Sequence, residues 1–276
     1  MSPSPKTLAR RLVPHPLYRR YRRRKVASLI AGYTPREVTH TYGGHTLRVR
    51  LTDPLAEGWY DHDWGQLEAI SFLRKQRVLV PGANIFDLGA HQGIVALMLA
   101  REVGRTGQVV AIEAEPHNAR VAAANRELND AENLTVLHAA GAASAGTISF
   151  AEGLNGQIDE HTAAGNVEVA AVTIDGLARE HGTPDLVLID VEGYEGEVLE
   201  GAGETLAGGS TSFLVEVHEA LSSYGGRADE IVELFAGFQR FVAVEDDDPF
   251  LALEGPPPPG RFFLIAIPPG ARPPTS

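Results

Sequence analysis

The segment Asp87-Leu88-Gly89-Ala90-His91-Gln92-Gly93 ends one apolar run with a carboxylate and two glycines, and Glu113 ends the next. Glycines at 89 and 93 let a backbone turn tightly and approach a ligand with no Cβ in the way. Asp87 would stand at the C-terminal end of a strand, where open α/β sheets bind ligands. An acid at the end of the following strand can accept hydrogen bonds from both hydroxyls of a ribose. A second constellation closes two later apolar runs: Asp190 and Glu192 in Ile189-Asp190-Val191-Glu192-Gly193-Tyr194-Glu195, then Glu216 and His218. Carboxylates and an imidazole at strand ends are the groups that accept and return protons. Capping of a following helix by acids is an alternative for Glu192 or Glu195. It suits Asp190 less, because Asp190 still belongs to the strand end.

The loop spacing decides between ligands. A dinucleotide needs G-x-G-x-x-G, so that backbone can meet a pyrophosphate. This chain has Gly89-x-x-x-Gly93 with His91 between, and Asp87 would repel phosphates. No G-K-[ST] run is present, which excludes a P-loop. A ligand with a ribose, no phosphate and cationic groups fits the acids, and S-adenosylmethionine is such a ligand. Its expected contacts are Asp87, Gly89, Ala90, His91, Gly93 and Glu113.

These residues need a parallel sheet to bring them to one edge. Strands are expected at Asn84–Leu88, Gln108–Ile112, Leu134–His138, Asp185–Ile189 and Thr211–Val217. Helices are expected at Ile94–Val103, Pro116–Leu128, Glu195–Leu206 and Ala228–Phe235. Pro116 suits a first helical turn, where its missing N–H is not needed. Strand–helix alternation implies a mostly parallel α/β sheet covered on both faces. Two further strands, Arg240–Val244 and Phe262–Ile267, are joined by the acidic, proline-rich loop 245–260 and should pair antiparallel at the sheet edge. The expected fold is thus a Rossmann-like, seven-stranded sheet of the class I methyltransferase kind over 81–270. Residues 37–80 read as a lead-in: a hairpin turning at Gly43-Gly44 and an amphipathic helix over Gln66–Arg77. Residues 1–36 form a basic extension.

The 276 residues contain no cysteine, so disulfides, thiolate metal sites and a cysteine nucleophile are excluded. Nine of the 24 basic residues lie within residues 1–25, which hold no acid, so the remainder carries a net charge of −21. A body this acidic repels phosphates and argues against nucleic-acid binding. No apolar run approaches the ~20 residues of a membrane span, and no signal-peptide pattern opens the chain. A cytoplasmic location is expected. The basic segment 8–25 either packs on the acidic body or touches anionic lipid weakly, as a peripheral contact.

With these motifs in hand, the chain resembles the FkbM family of methyltransferases. The matching segments are Asp87–Gly93, Glu113-Ala114-Glu115-Pro116 with Asn125, Val172-Thr173-Ile174-Asp175-Gly176-Leu177, Asp190-Val191-Glu192-Gly193-Tyr194-Glu195 and Phe213-Leu214-Val215-Glu216-Val217-His218. His91 stands where the family usually has Asn, and Leu188 where a Lys commonly precedes the acidic run. The resemblance implies S-adenosylmethionine-dependent O-methylation of a hydroxyl on a sugar, glycan or polyketide-like small molecule. The residues expected to act on that hydroxyl are Asp190, His218 and Glu192. His218 leads as the base because imidazole titrates near neutrality. Asp190, Glu192 and Glu216 could together hold a divalent cation, but carboxylates also contact hydroxyls directly, and no metal ligand is assigned. Residues 37–80 and 150–170 are expected to shape the acceptor pocket. Two other classes fit parts of the chain. The loop spacing counts against an NAD-dependent oxidoreductase. Asp87, Glu113 and Asp190 count against a methyltransferase-like binding module that has lost catalysis.

Overall fold

Short apolar runs alternating with helical stretches bury both of their faces only in a sheet covered on each side. The computed structural model, which describes residue 24 and residues 27–151, 157–158 and 167–270, has this form. The lead-in holds strands β1 (Arg36–Tyr42) and β2 (His45–Leu51), then helices α1 (Pro54–Tyr60) and α2 (Glu68–Lys75). There follow β3 (Asn84–Leu88), α3 (Ile94–Val103), β4 (Gln108–Glu113), α4 (Pro116–Leu128) and β5 (Leu134–His138). Strands β6 (Ala140–Gly141), β7 (Gly146–Ala151), β8 (Gln157–Ile158) and β9 (Val167–Val172) form a separate small sheet. The chain continues with α5 (Ile174–His181), β10 (Leu186–Ile189), α6 (Glu195–Glu200), α7 (Gly203–Gly208) and β11 (Ser212–Val217). After a 3-10 turn over Glu219–Tyr224 come α8 (Ala228–Leu234), β12 (Gln239–Ala243), β13 (Leu251–Ala252) and β14 (Phe262–Ile267).

The main sheet has the order β13-β12-β14-β11-β10-β3-β4-β5. Strands β5, β4, β3, β10 and β11 are parallel, and β14 and β12 are antiparallel at the far edge. This is the expected class I arrangement, extended by one two-residue strand. That strand, β13, comes from the 245–260 loop and pairs with Phe241 and Val242.

One expected helix is two. Glu195–Leu206 breaks after Glu200 because the chain there crosses Ala142: a Cβ on Gly201 would lie 2.2 Å from the Ala142 carbonyl oxygen. The second piece, α7, is started by Asp175, whose carboxylate accepts the backbone N–H groups of Glu204 and Thr205, each at 2.9 Å. Helices α1 and α5 and the small sheet were not expected.

Two apolar cores lie on either side of the sheet. One joins Ile85, Leu97 and Leu134 to the lead-in residues Tyr42, Leu47, Leu51 and Leu73. The other packs Phe86, Val187 and Phe213 under Ile174, Val198 and Phe235. The lead-in is also tied by hydrogen bonds. Asn125 of α4 accepts from the Arg50 N–H at 2.8 Å, and Asn129 both accepts from and donates to the Arg48 backbone. These side chains cover an edge of β2 that would otherwise offer unpaired backbone groups.

Candidate functional site

Strand order reverses between β3 and β10, the place where open α/β sheets form a crevice at their C-terminal ends. A cleft of about 750 Å³ opens there. Strand register sets its floor: Asp87 lies beside Leu188, and Leu188 beside Leu214. One residue pair further along the same face come Asp190 and Glu216. Asp87, Gly89, Ala90, His91, Glu113, Asp190, Glu192, Glu216 and His218 all line this cleft.

At one end, the loop after β3 curls against β4. The N–H groups of Gly89 and Ala90 donate to the Ile112 carbonyl at 2.9 and 3.1 Å. Glu113, at the end of β4, accepts from the His91 N–H and the Glu115 N–H, both at 2.7 Å. His91 adopts a left-handed φ of 48°, which turns its N–H that way. Gly89 is required by the fold: a Cβ there would lie 1.7 Å from the Asp190 carbonyl oxygen. Gly93 is not among the residues that line the cleft. It stands at the start of α3 with φ 82°, where a Cβ would press on Ala122 at 3.1 Å. It therefore packs the loop against α4.

Asp87 and Glu113 are both buried, at 4% and 7% exposure. Burial pushes the Asp87 carboxyl up to about 7, and Oδ2 has no hydrogen-bond partner. Burial also pushes Glu113 up, to about 8, against the pull of its two backbone donors. These are acids in want of a cation.

At the other end, His218 stands among carboxylates. Its Nδ1 is 2.7 Å from Glu195 Oε1, and its Nε2 is 3.2 Å from Glu216, 3.6 Å from Asp190 and 3.9 Å from Glu192. Burial opposes charge on the ring, but the bonds to Glu195 and Glu216 prevail and raise it to about 10. Asp190 is raised as well, first by the enclosing walls and then by Glu216, although about half of its side-chain surface is open. Glu216 is lowered: His218 and Arg261 outweigh its burial. Arg261 in turn bridges Glu216 and Asp246. Asp190, Glu192 and His218 each offer a possible metal ligand, with these atoms within 4.8 Å of one another. The protonated imidazole already supplies a cation at that spot.

Some of the wall was not legible in advance. Glu195, considered as a helix cap, is fully buried and holds His218, and it also accepts the Gly193 N–H at 2.8 Å. Trp59, Tyr60 and Trp64 of the lead-in line the cleft, as do Arg261 and Asp246. The pair Asp53-Pro54, a capping side chain before a proline, is the signal that could have located the helix bearing Trp59 and Tyr60. Of the lead-in, residues between Trp59 and Ile70 line the cleft. Of the other stretch, 150–170, residues 152–156 and 159–166 lie outside the described residues, as does the basic segment except Arg24. Among the described residues no helix is long and apolar enough to cross a membrane.

A search of the curated proteins finds none that matches the chain. Among solved structures, it is similar to a methyltransferase FkbM from Methylobacillus flagellatus, at 14% identity, over 66% of this chain and 43% of that one, with a TM-score of 0.45. It is similar to a SAM-dependent methyltransferase from Aquifex aeolicus at 15% identity, over 78% and 93%, with a TM-score of 0.44. It is also similar to a precorrin-6y C5,15-methyltransferase from Geobacter metallireducens at 14% identity, over 73% and 87%, with a TM-score of 0.43. Residues 87–240, more than half of the sequence, match the Methyltransferase FkbM domain. The chain belongs to the FkbM family of S-adenosylmethionine-dependent methyltransferases.

Proposed function

We propose that this methyltransferase acts on a hydroxyl group of a sugar, glycan or polyketide-like small molecule. The observation that carries the reading is the division of one cleft between two buried acids that want a cation and a proton-handling cluster of Asp190, Glu192, Glu216 and His218. S-adenosylmethionine supplies a methyl group on a sulfonium, open to in-line displacement.

Glu113 would accept the ribose hydroxyls with the lone pairs that its backbone donors leave free, and Asp87 would face the cationic methionine part. Gly89, Ala90 and His91 would form the floor of that subsite. Gly93 supports the loop from behind.

The proton handling differs from the first expectation. With Glu195 and Glu216 raising its affinity for a proton, His218 is an imidazolium at neutral pH and a poor base. Asp190 takes that role: it opens into the cleft, and its carboxyl, raised to about 8, gives up its proton closer to neutrality than the imidazolium does and is then a stronger base than an ordinary carboxylate. His218 keeps Asp190 and Glu216 oriented and stabilises negative charge between them. Glu192 accepts a neighbouring hydroxyl of the acceptor and helps to hold it in line.

Titration calorimetry with S-adenosylhomocysteine tests the cofactor half, and absence of binding to the purified protein sinks it. For the acceptor half, the protein is incubated with S-adenosylmethionine and a panel of sugars and polyketide alcohols. Gain of one methyl group on oxygen, seen by mass spectrometry and NMR, is expected. Methylation confined to nitrogen or carbon acceptors would overturn the hydroxyl assignment.

A further inference from the structure

We infer that Tyr60 is a positioning residue of the cofactor loop, acting through His91. The inference rests on the cofactor reading above and assigns a role to the lead-in that family membership does not.

The seven-residue helix α1 is fastened to the loop at both of its ends. At its start, Asp53 is fully buried and accepts from the Gln92 side chain at 2.8 Å. At its finish, the Tyr60 hydroxyl lies 2.6 Å from His91 Nδ1. Consecutive loop residues, 91 and 92, are thus held by opposite ends of one helix. Tyr60 is itself placed from behind, because its carbonyl accepts the hydroxyl of the buried Tyr42 on the hairpin.

His91 needs such a partner. A left-handed φ is unfavourable for a residue with a Cβ and persists where the surroundings impose it. That φ aims the His91 N–H at Glu113. Burial keeps the Tyr60 phenol protonated, so its hydroxyl can pair with Nδ1 in either tautomer of the ring, as donor or as acceptor, and hold the imidazole in place. A continuous path then runs from the hairpin through Tyr60 and His91 to the acid at the end of β4. The unusual His91 becomes intelligible: an Asn side chain at that position is shorter and does not reproduce the imidazole's reach to the phenol.

The alternative is that the Tyr60 hydroxyl only satisfies its own burial. The two roles separate in a double-mutant cycle. Wild type, Tyr60→Phe, His91→Asn and the double variant are titrated calorimetrically with S-adenosylhomocysteine, and each is melted thermally. Phe keeps the ring and its packing, and His91→Asn tests the same path should Tyr60→Phe fold poorly. The expected result is about a tenfold loss of affinity in each single variant, the scale of one buried hydrogen bond. The double variant should be no weaker than the worse single. A lowered melting temperature with undiminished affinity, or losses that multiply in the double variant, overturns the inference alone. If the wild type fails to bind, the cofactor reading falls and takes this inference with it.

Discussion

The two ends of the cleft are both built from carboxylates at strand ends, yet they are opposites electrically. Asp87 and Glu113 are enclosed, and burial is the leading cause of their raised proton affinity. Their hydrogen bonds are few, and one Asp87 oxygen has none. Asp190, Glu192 and Glu216 surround an imidazole, and Glu216 also meets Arg261. One end carries its counter-charges within the chain; the other leaves the place of a cation to its ligand. A buried acid without a partner is unfavourable to the fold, so its presence is best understood by what binds there. The cluster around His218 can keep its charges in order before any acceptor arrives.

The largest effect that tests this contrast is expected at Asp190. Asp190→Asn keeps the side chain's shape and removes the base. Turnover should fall about a hundred- to ten-thousandfold, the usual scale for a general base, while calorimetric affinity for S-adenosylhomocysteine stays unchanged. Full turnover in this variant would move the base elsewhere, with Glu216 the next candidate. Loss of cofactor affinity instead would mean that the two ends are not separable.

The converse variant is Glu113→Gln. It can no longer ionise when the ligand binds, and its amide cannot accept both backbone N–H groups and a ribose. Affinity for S-adenosylhomocysteine should drop roughly ten- to a hundredfold, as for a hydrogen bond to a charged group. The Michaelis constant for the methyl donor should rise with kcat little changed. A fall in kcat alone would place Glu113 in the chemistry and undo the division.

A smaller effect is expected at Arg261. Arg261→Met removes a cation from Glu216 and thereby raises the proton affinity of the whole acceptor end. The base must be deprotonated to work, so the rising limb of kcat/KM against pH should move to higher pH. Activity at neutral pH should drop by about a few-fold and recover when the buffer is made more alkaline. A uniform loss at every pH would give Arg261 a merely structural place.

Much of this contrast was legible because a parallel sheet collects its strand ends on one edge. Once Asp87, Glu113, Asp190, Glu216 and His218 each closed an apolar run, the topology had to gather them, and it does. What stayed hidden depends on contacts between distant segments. In Pro54-Leu55-Ala56-Glu57-Gly58-Trp59-Tyr60 the pairs Leu55/Trp59 and Ala56/Tyr60 stand at helical spacing, but over only two turns interrupted by Gly58, and no periodicity carries the grip on His91. Gly89 looked like room for a ligand, but the carbonyl of Asp190 takes that room. The titration of His218 was misjudged because Glu195 resembles a helix cap in sequence, whereas in space it bonds the ring. Electrostatic character of this kind belongs to the assembled site, and residue types alone do not carry it.

The subtlest consequence of the contrast is a pH-dependent preference between two ligands. Free Asp87 and Glu113 hold protons up to about 7 and about 8. A cation beside them favours the ionised form, so binding a cationic ligand releases protons and strengthens as pH rises. S-adenosylmethionine carries the sulfonium charge and S-adenosylhomocysteine does not, while their amino groups and ribose are alike. The ratio of their affinities should therefore favour the sulfonium by about several-fold more at pH 8 than at pH 6, well under the limit of tenfold per proton per pH unit. The same acids act on stability with a definite sign. Their folded-state values lie above the unfolded ones, so the stabilisation they bring is complete below the ordinary carboxylate values of about 4 and is lost progressively as pH rises from there to about 7 and about 8. The thermal shift produced by S-adenosylmethionine should accordingly grow over that interval. A ratio flat with pH would mean that Asp87 and Glu113 find their cation within the chain, and the two ends of the cleft would then be alike.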